Sequence, residues 1–270
     1  MHSFYFKVQR NIFNIVEDLI ASAKLWRYWL FRSFVIYRLR FQGSRLALLW
    51  PVISLLFVVA VLGTVWGIIL GKGNEYDYYL YLVVGFPVWQ FISGAVKEGN
   101  KGLIDTFRND GLPFTVFLYE RWSLNSLALV NVIPLMLMGA FFFGYNGYEH
   151  FLYLPLAIVC LALWAFGTIA LLALIVSLKP DLKHLVNSLM RLSFLATPII
   201  WEPTRLGDYQ QYLWLNPFFA PLEMARYAIS GVLYMPDVLW FAPVYSVLVF
   251  LVGLTLFARY LNALKFRIAA

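Results

Sequence analysis

The residue types that perform chemistry in enzymes are present in this chain but are not grouped for it. The three histidines, His2, His150 and His184, are far apart and show no spacing typical of metal ligands. Glu17 and Asp18 are adjacent carboxylates. Because they fall on the polar face of a predicted helix, we interpret them as a solvated pair rather than as an acid–base catalytic pair. The sequence has no Gly-x-x-x-x-Gly-Lys-Ser/Thr loop for nucleotide phosphates. We therefore predict no catalytic site, no metal site and no cofactor in this chain.

Ionisable residues are also nearly missing from the long apolar stretches of the sequence. Transporters driven by protons or sodium bury carboxylates or histidines at membrane depth. Here only Arg191 approaches that depth. The pattern disfavours a secondary transporter.

The composition identifies the class of protein. Hydrophobic residues make up 62% of the 270 residues and charged residues 13%, with a mean hydropathy of +0.73. Soluble domains have roughly 45–50% apolar and about 25% charged residues. A soluble chain this apolar has too few polar side chains to cover its surface, so we predict an all-α polytopic membrane protein.

Six stretches are apolar enough to predict transmembrane helices, given the roughly 20 residues that a bilayer core requires. Five are clear, and the fifth in chain order is shorter and contains Arg191. The six predicted spans are 46–70, 78–96, 122–146, 151–178, 185–201 and 238–258. We predict one six-span domain over 46–270, preceded by a cytoplasmic amphipathic helix and basic segment over 1–45.

The basic residues predict the orientation. All but three of the 21 Lys and Arg residues fall on one side of a six-span arrangement, and the exceptions are Lys72, Arg205 and Arg226. Because cytoplasmic connections carry the excess of Lys and Arg, we predict that both termini are cytoplasmic. The net charge of +7 then reflects topology, with anionic lipid as its nearest partner and no nucleic-acid partner.

An amphipathic helix is predicted before the first span. Its apolar positions recur at three- and four-residue steps, and within the second half of the segment they are Ile15, Leu19, Ala23, Trp26 and Leu30. Such a helix lies in the membrane interface, with Trp26 and Trp29 at headgroup depth. A plain membrane anchor and a docking site for a partner both remain open interpretations.

The connection over residues 97–121 is the most mixed in charge. Phe107 stands among Asp105, Arg108 and Asp110, and this pattern predicts an exposed apolar knob ringed by charges, which is typical of a protein interface. The alternative is a solvated loop.

The outer segment 202–237 is too polar for two further spans and unusually rich in aromatic residues, among them Tyr209 and Tyr212. Four prolines divide it into short pieces, which favours re-entrant helices. The aromatic residues fit either an interfacial belt or a surface on which flat rings pack against sugars.

Four stretches resemble, in order, the permease subunit of ABC-type polysaccharide exporters, the family that moves O-antigen, capsule and teichoic-acid chains. They read RLRFQGSRLALLWPVISLL at 38–56, YLVVGFPVWQFISGAV at 81–96, ATPIIWEP at 196–203 and LNPFFAPLEMARYAISG at 215–231. The last includes Glu223 and Arg226 one helical turn apart. The resemblance covers nearly the whole chain.

The resemblance implies a homodimer in the bacterial inner membrane, bound to two ATPase subunits that hold ATP and magnesium. It implies a channel at the dimer interface for a lipid-linked polysaccharide. It also implies that the amphipathic helix and the 97–121 connection contact the ATPase. From the charge pattern of that connection, we predict Asp105, Phe107, Arg108 and Asp110 as the coupling residues. The alternatives are a permease for drugs or lipids and a membrane-embedded glycosyl or lipid transferase.

A hydrophilic polymer crossing such a channel needs a lining that replaces water, because each stranded hydroxyl costs several kcal/mol. Aromatic rings can bind sugars weakly at many points. The candidate lining residues are Trp50, Trp66, Phe86, Trp89, Trp201, Tyr209 and Tyr212. For each of them, packing against lipid or against the protein core is an equally good explanation.

Overall fold

A computed structural model describes residues 15–41, 49–70, 75–103, 112–142 and 149–269 of the chain. Its helices are α1 Trp26–Leu39, α2 Trp50–Leu70, α3 Glu75–Gly99, α4 Val116–Val130, α5 Ile133–Phe142, α6 Leu154–Leu178, α7 Leu182–Ala196, α8 Phe219–Ser230 and α9 Val238–Ala269. Residues 15–24 are also helical, and 3₁₀ segments occupy Glu149–Tyr153 and Pro203–Leu215. The described residues contain no strand, so the predicted all-α class is confirmed.

Five stretches of helix are long and apolar enough to cross a membrane. They are Trp50–Ile69, Tyr78–Gly99, Val116–Gly139, Glu149–Leu178 and Val238–Tyr260. At 1.5 Å per residue, the 21 residues of α2 measure about 30 Å, the thickness of a bilayer core. The third span begins at Val116, six residues before the predicted start, and turns at Asn131 and Val132 between α4 and α5.

Helix α7 differs from the predicted span 185–201. It has 15 residues, about 22 Å, and it ends at Ala196. Thr197 is extended, with φ −93° and ψ 137°, because the ring of Pro198 disfavours helical backbone in the residue before it. Residues 197–201 continue without helix, so α7 alone is shorter than a bilayer core.

Side-chain contacts define two ends of the helical bundle. At the end that we call the basic end, the Asn100 side chain donates to the Lys183 carbonyl at 3.1 Å. At the opposite end, which we call the aromatic end, the Tyr78 hydroxyl donates to the Ile200 carbonyl at 2.8 Å. Helix α7 with its extension therefore connects the two ends and adds a sixth traverse to the five candidate spans, so the predicted count of six is approximately consistent with the described residues.

Helices α6 and α9 share the most extensive contact of the helix pairs in the described bundle. A Cβ on Gly167 would lie 2.5 Å from the Val249 carbonyl oxygen, and a Cβ on Gly253 would collide with the backbone of Gly167. Small residues at a crossing allow backbones in a membrane to approach this closely. The crossing holds the second half of the chain together around the buried Trp164 and Ile169.

The N-terminal helix packs on α4 through a face that differs from the predicted apolar stripe. Its buried residues are Ile15, Ser22, Trp29, Ser33 and Tyr37. Of the predicted stripe, Ile15 is buried and Leu19 is partly buried against the core, but Ala23 is exposed, as are Trp26 at 51% and Leu30 at 37%. The stripe was wrong because serine hydroxyls, which look polar in the sequence, face α4 and hydrogen-bond to it.

Candidate functional site

Two of the candidate lining residues, Phe86 and Trp89, belong to one cluster of rings. Trp89 on α3 lies 6.0 Å from Phe194 on α7 and 5.6 Å from Phe218, between ring centroids. Phe86 lies 6.4 Å from Phe194, and Trp164 on α6 lies 5.9 Å from Phe218. We call these five residues the aromatic cluster. The ring of Trp89 is only 6% exposed, so its faces contact other side chains of the same chain.

A groove of about 470 Å³ lies beside the aromatic cluster, between α6, α7 and α9. Its walls are mainly apolar, and Thr168 and Ser193 are among the few polar residues along it. The groove separates α7 from the rest of the bundle, and α7 has no buried residue. Helix α7 is therefore the least enclosed of the traverses.

Trp201, Tyr209 and Tyr212 lie at the aromatic end. The Trp201 indole nitrogen donates to the Leu195 carbonyl at 3.0 Å, and the ring remains partly exposed. Tyr209 and Tyr212 are 68% and 57% exposed and stack on each other at 6.2 Å with an interplanar angle of 22°. These two tyrosines present a flat aromatic surface on which a pyranose can pack.

Trp50 and Trp66 lie at different depths along α2. Sixteen residues separate them, which places them about 24 Å apart along the helix axis. Trp50 is 47% exposed, and Trp66 is partly buried against the core. The structure thus brings together Phe86 with Trp89 and Tyr209 with Tyr212, but it does not bring all seven candidates to one site.

The proposed coupling residues Asp105, Phe107, Arg108 and Asp110 lie outside the described residues. The chain that leads into this segment is well fixed. Ser177 on α6 accepts a hydrogen bond from the Leu103 N–H at 2.9 Å.

Asp18 holds the chain that leaves the same segment. Its carboxylate accepts hydrogen bonds from the backbone N–H groups of Phe114, at 3.0 Å, and Thr115, at 2.7 Å. These N–H groups belong to the turn that opens α4, where helical donors lack partners and negative charge is stabilised. Ser22 and Thr115 add a hydroxyl pair at 2.8 Å. The prediction of a solvated Glu17–Asp18 pair was therefore wrong for Asp18.

Glu98 joins three elements at the basic end, a role that sequence reasoning missed. It is buried and forms ion pairs with Arg40, at 2.9 Å, and with Lys101. Arg121 on α4 donates to its backbone carbonyl at 3.1 Å. In the sequence, Glu98 is visible only as a carboxylate at the end of an apolar span. That position does not identify Arg40, 58 residues away, as its partner.

Tyr37, near the C-terminal end of α1, is buried. Burial raises the pKa of Tyr37, and its neighbours Asn131 and Arg40 oppose that rise. The phenol is therefore neutral at physiological pH.

No group of three or more His, Cys, Asp or Glu residues among those described could hold a metal ion.

Comparison with known proteins identifies the family. Residues 30–230 match the ABC-2 type transporter family, and this range includes most of α1 and all of α2 to α8. The O-antigen export system permease protein RfbA of Myxococcus xanthus is 25% identical over 174 residues, covering 63% of this chain. The matched chain spans 66% of the length of that relative. Together with the long apolar helices, these matches show that the chain is a multi-pass membrane protein and that it belongs to the ABC-2 type transporter family.

Proposed function

We propose that this chain is the permease subunit of an ATP-driven exporter that moves a lipid-linked polysaccharide of the O-antigen, capsule or teichoic-acid type. The observation that carries the proposal is the family match over residues 30–230, which is joined to a likeness to an O-antigen export permease. The exposed aromatic surface of Tyr209 and Tyr212 is of the kind that sugar rings contact.

A separate ATPase supplies the energy. This chain has no nucleotide phosphate-binding loop, and permeases of the ABC class act with an ABC-type ATPase. Two copies of the ATPase, holding ATP and magnesium, contact the basic end through the N-terminal helix and residues 97–121. The hydrogen bonds that join Leu103 to α6 and Asp18 to the start of α4 support this assignment. A movement that the ATPase imposes on the N-terminal helix or on residues 97–121 would pass through these bonds to two spans.

The basic end faces the cytoplasm. The connections at that end carry most of the Lys and Arg residues, as cytoplasmic connections do. Both termini are then cytoplasmic, the protein resides in the bacterial inner membrane, and the aromatic end faces outward.

A homodimer forms the passage, with α7 in its wall. Val186, Met190 and Phe194 on α7 are partly buried toward the bundle. Three polar residues of α7 recur at three- and four-residue steps on a different, exposed side, and they are His184, Ser188 and Arg191. Asn187 instead accepts a hydrogen bond from the Asn100 side chain at 2.9 Å. Polar side chains at membrane depth face a bundle interior or a water-filled cavity. A second copy facing this side encloses a polar passage, and the exposed rings of Tyr209 and Tyr212, with Trp201, line its exit.

Complementation of a strain lacking this permease tests the proposal. The wild-type chain should restore polysaccharide on the cell surface, and it should fail when the partner ATPase carries a substitution of its phosphate-binding lysine. Unchanged surface polysaccharide in the deletion strain would instead indicate a drug or lipid exporter. Elongation of a lipid-linked sugar by the purified chain alone would indicate a transferase.

A further inference from the structure

In the segment between α7 and the 3₁₀ segment Pro203–Leu215, the carbonyls of Pro198, Ile200 and Trp201 accept hydrogen bonds from side chains of other elements. We call residues 197–202 the exit segment. Tyr81 on α3 donates its hydroxyl hydrogen toward the carbonyls of Pro198, at 2.7 Å, and Trp201. Its neighbour Tyr78 donates to the Ile200 carbonyl at 2.8 Å. Non-helical backbone at membrane depth is tolerated only where its polar groups form hydrogen bonds with protein. The two tyrosine hydroxyls donate such hydrogen bonds to the carbonyls of the exit segment.

Arg226 on α8 is the second anchor of the exit segment. Its Nη2 donates to the Pro198 carbonyl at 2.7 Å, and its Nη1 pairs with Glu223 at 2.8 Å. Its guanidinium carbon lies 3.8 Å from the centroid of the Tyr81 ring. One carbonyl therefore receives hydrogen bonds from two side chains that also stack on each other.

The surroundings of Arg226 are shaped for a fully buried cation. Both Arg226 and Glu223 are 0% exposed, and a buried charge is tolerated only when it is paired and hydrogen-bonded. A Cβ on Gly85 would lie 2.6 Å from Arg226 Nη2, so α3 has no side chain where the guanidinium fits. Replacement of such an ion pair by packed apolar residues is often neutral or stabilising. Stability alone therefore does not explain why Arg226 and Glu223 are buried as a pair.

We propose that Arg226 and Tyr81 are positioning residues that hold the exit segment against α3 and thereby fix Trp201 at the mouth of the passage. This inference rests on the proposed function, because it assigns the aromatic end as the exit. We call the contacts of Tyr81 and Arg226 with the exit segment the clamp. The clamp joins α3, α8 and the extension of α7, three elements that come from distant parts of the chain. When the clamp is intact, α7 and the 3₁₀ segment bearing Tyr209 and Tyr212 stay in a fixed relation to the bundle.

Thiol accessibility of the exit segment tests the proposal without depending on export. Ile199 is 0% exposed, so Ile199→Cys in a Cys160→Ala background should react slowly with an impermeant maleimide added to whole cells. Adding Arg226→Gln should raise the labelling rate about tenfold, the factor expected for one charge-assisted hydrogen bond. An unchanged rate in a correctly inserted protein would overturn the proposal.

Tyr81→Phe keeps the test decisive if Arg226→Gln does not fold. It preserves the ring beneath the guanidinium and removes only the hydroxyl, so it should raise labelling of Ile199→Cys several-fold. Tyr209→Phe removes a hydroxyl from an exposed ring at the same end and should leave labelling unchanged. Equal labelling in Tyr81→Phe and Tyr209→Phe would overturn the positioning role.

Export measured in the same strains separates this inference from the proposed function. Arg226→Lys keeps a cation beside Glu223 but cannot reach both the carboxylate and the Pro198 carbonyl with a planar fork. We expect intermediate labelling and intermediate surface polysaccharide. If the wild-type chain supports no export, the proposed function fails while the labelling result still decides the clamp. If labelling rises in all clamp variants but export stays at the wild-type level, the assignment of the clamp to the passage is overturned.

Discussion

Gly167 on α6 and Gly253 on α9 are in direct backbone contact, so that a methyl group on either residue would enter the other helix. The contact lies in the middle of both spans and allows the two helices to pack along their length. Their crossing is therefore sensitive to a small increase in side-chain volume, because the atoms in the way belong to backbone that cannot rotate aside.

Gly253→Ala should destabilise the permease by about 1–3 kcal/mol, the usual cost of overpacking a core. The expected result is a lower thermal unfolding midpoint in detergent and a lower protein level in membranes. Gly67→Ala on α2 is the matched control, because its Cβ would meet only Tyr78 at 3.7 Å, an ordinary contact. Equal midpoints for the two variants would contradict the close crossing.

Asp18→Ala should loosen the start of α4. Loss of a helix-capping acceptor costs about 0.5–2 kcal/mol, and here it also releases the N-terminal helix from residues 114 and 115. We expect faster hydrogen exchange over residues 112–118 and weaker association with the ATPase. Glu17→Ala, on an exposed neighbouring side chain, should change neither quantity.

The sequence predicted the fold well where the signal is local. Each long span is an apolar run whose length alone meets the requirement of the bilayer, and no distant partner is needed to recognise it. The end of α7 was also readable in principle, because Pro198 disfavours helix at Thr197. The prediction instead extended the apolar run to Trp201 and so missed the clamped exit segment.

The contacts that fix the ends of the bundle could not be predicted, because they join distant residues. Asp18 caps a helix that begins almost 100 residues later, and Arg226 is buried because Tyr81, Gly85 and Glu223 together make a site for it. In the sequence, Asp18 has the pattern of a solvated face and Arg226 that of an outer polar residue. Pairing of side chains across 28 to 145 residues has no periodicity in one sequence.

Orientation can be checked with single cysteines in the Cys160→Ala background. Leu152→Cys and Tyr209→Cys, at positions 82% and 68% exposed, should react with an impermeant maleimide from outside. Lys183→Cys at the basic end should react only after permeabilisation. Labelling of Lys183→Cys in intact cells would reverse the proposed orientation.

Phe107→Asp tests the coupling role predicted for the 97–121 connection. A charge at the centre of an interface should cost about 2 kcal/mol or more of binding, so co-purification with the ATPase should fall while membrane insertion remains normal. Phe142→Tyr, at a 71% exposed ring on α5 at the other end of its span, should leave co-purification unchanged. Undiminished ATPase binding by Phe107→Asp would favour a solvated loop.

The aromatic candidates should separate into two groups when they are truncated. Trp89 packs against Phe194 and Phe218, so Trp89→Ala should cost about 3–5 kcal/mol of stability and lower the amount of protein. Tyr209 and Tyr212 contact each other on the surface, so the double Ala variant should keep a normal protein level.

The double variant of Tyr209 and Tyr212 is the sharper test of the passage. Each lost stacking contact is worth about 0.5–1.5 kcal/mol by analogy with aromatic pairs, so export should slow by about tenfold rather than stop. The double Phe variant keeps both flat faces and should export at nearly the wild-type rate. Surface polysaccharide is measured in both strains at matched protein levels and with normal ATPase binding. If the double Ala variant exports normally, the two rings belong to the interfacial belt, and the polymer must contact the wall formed by α7 and Trp201 instead.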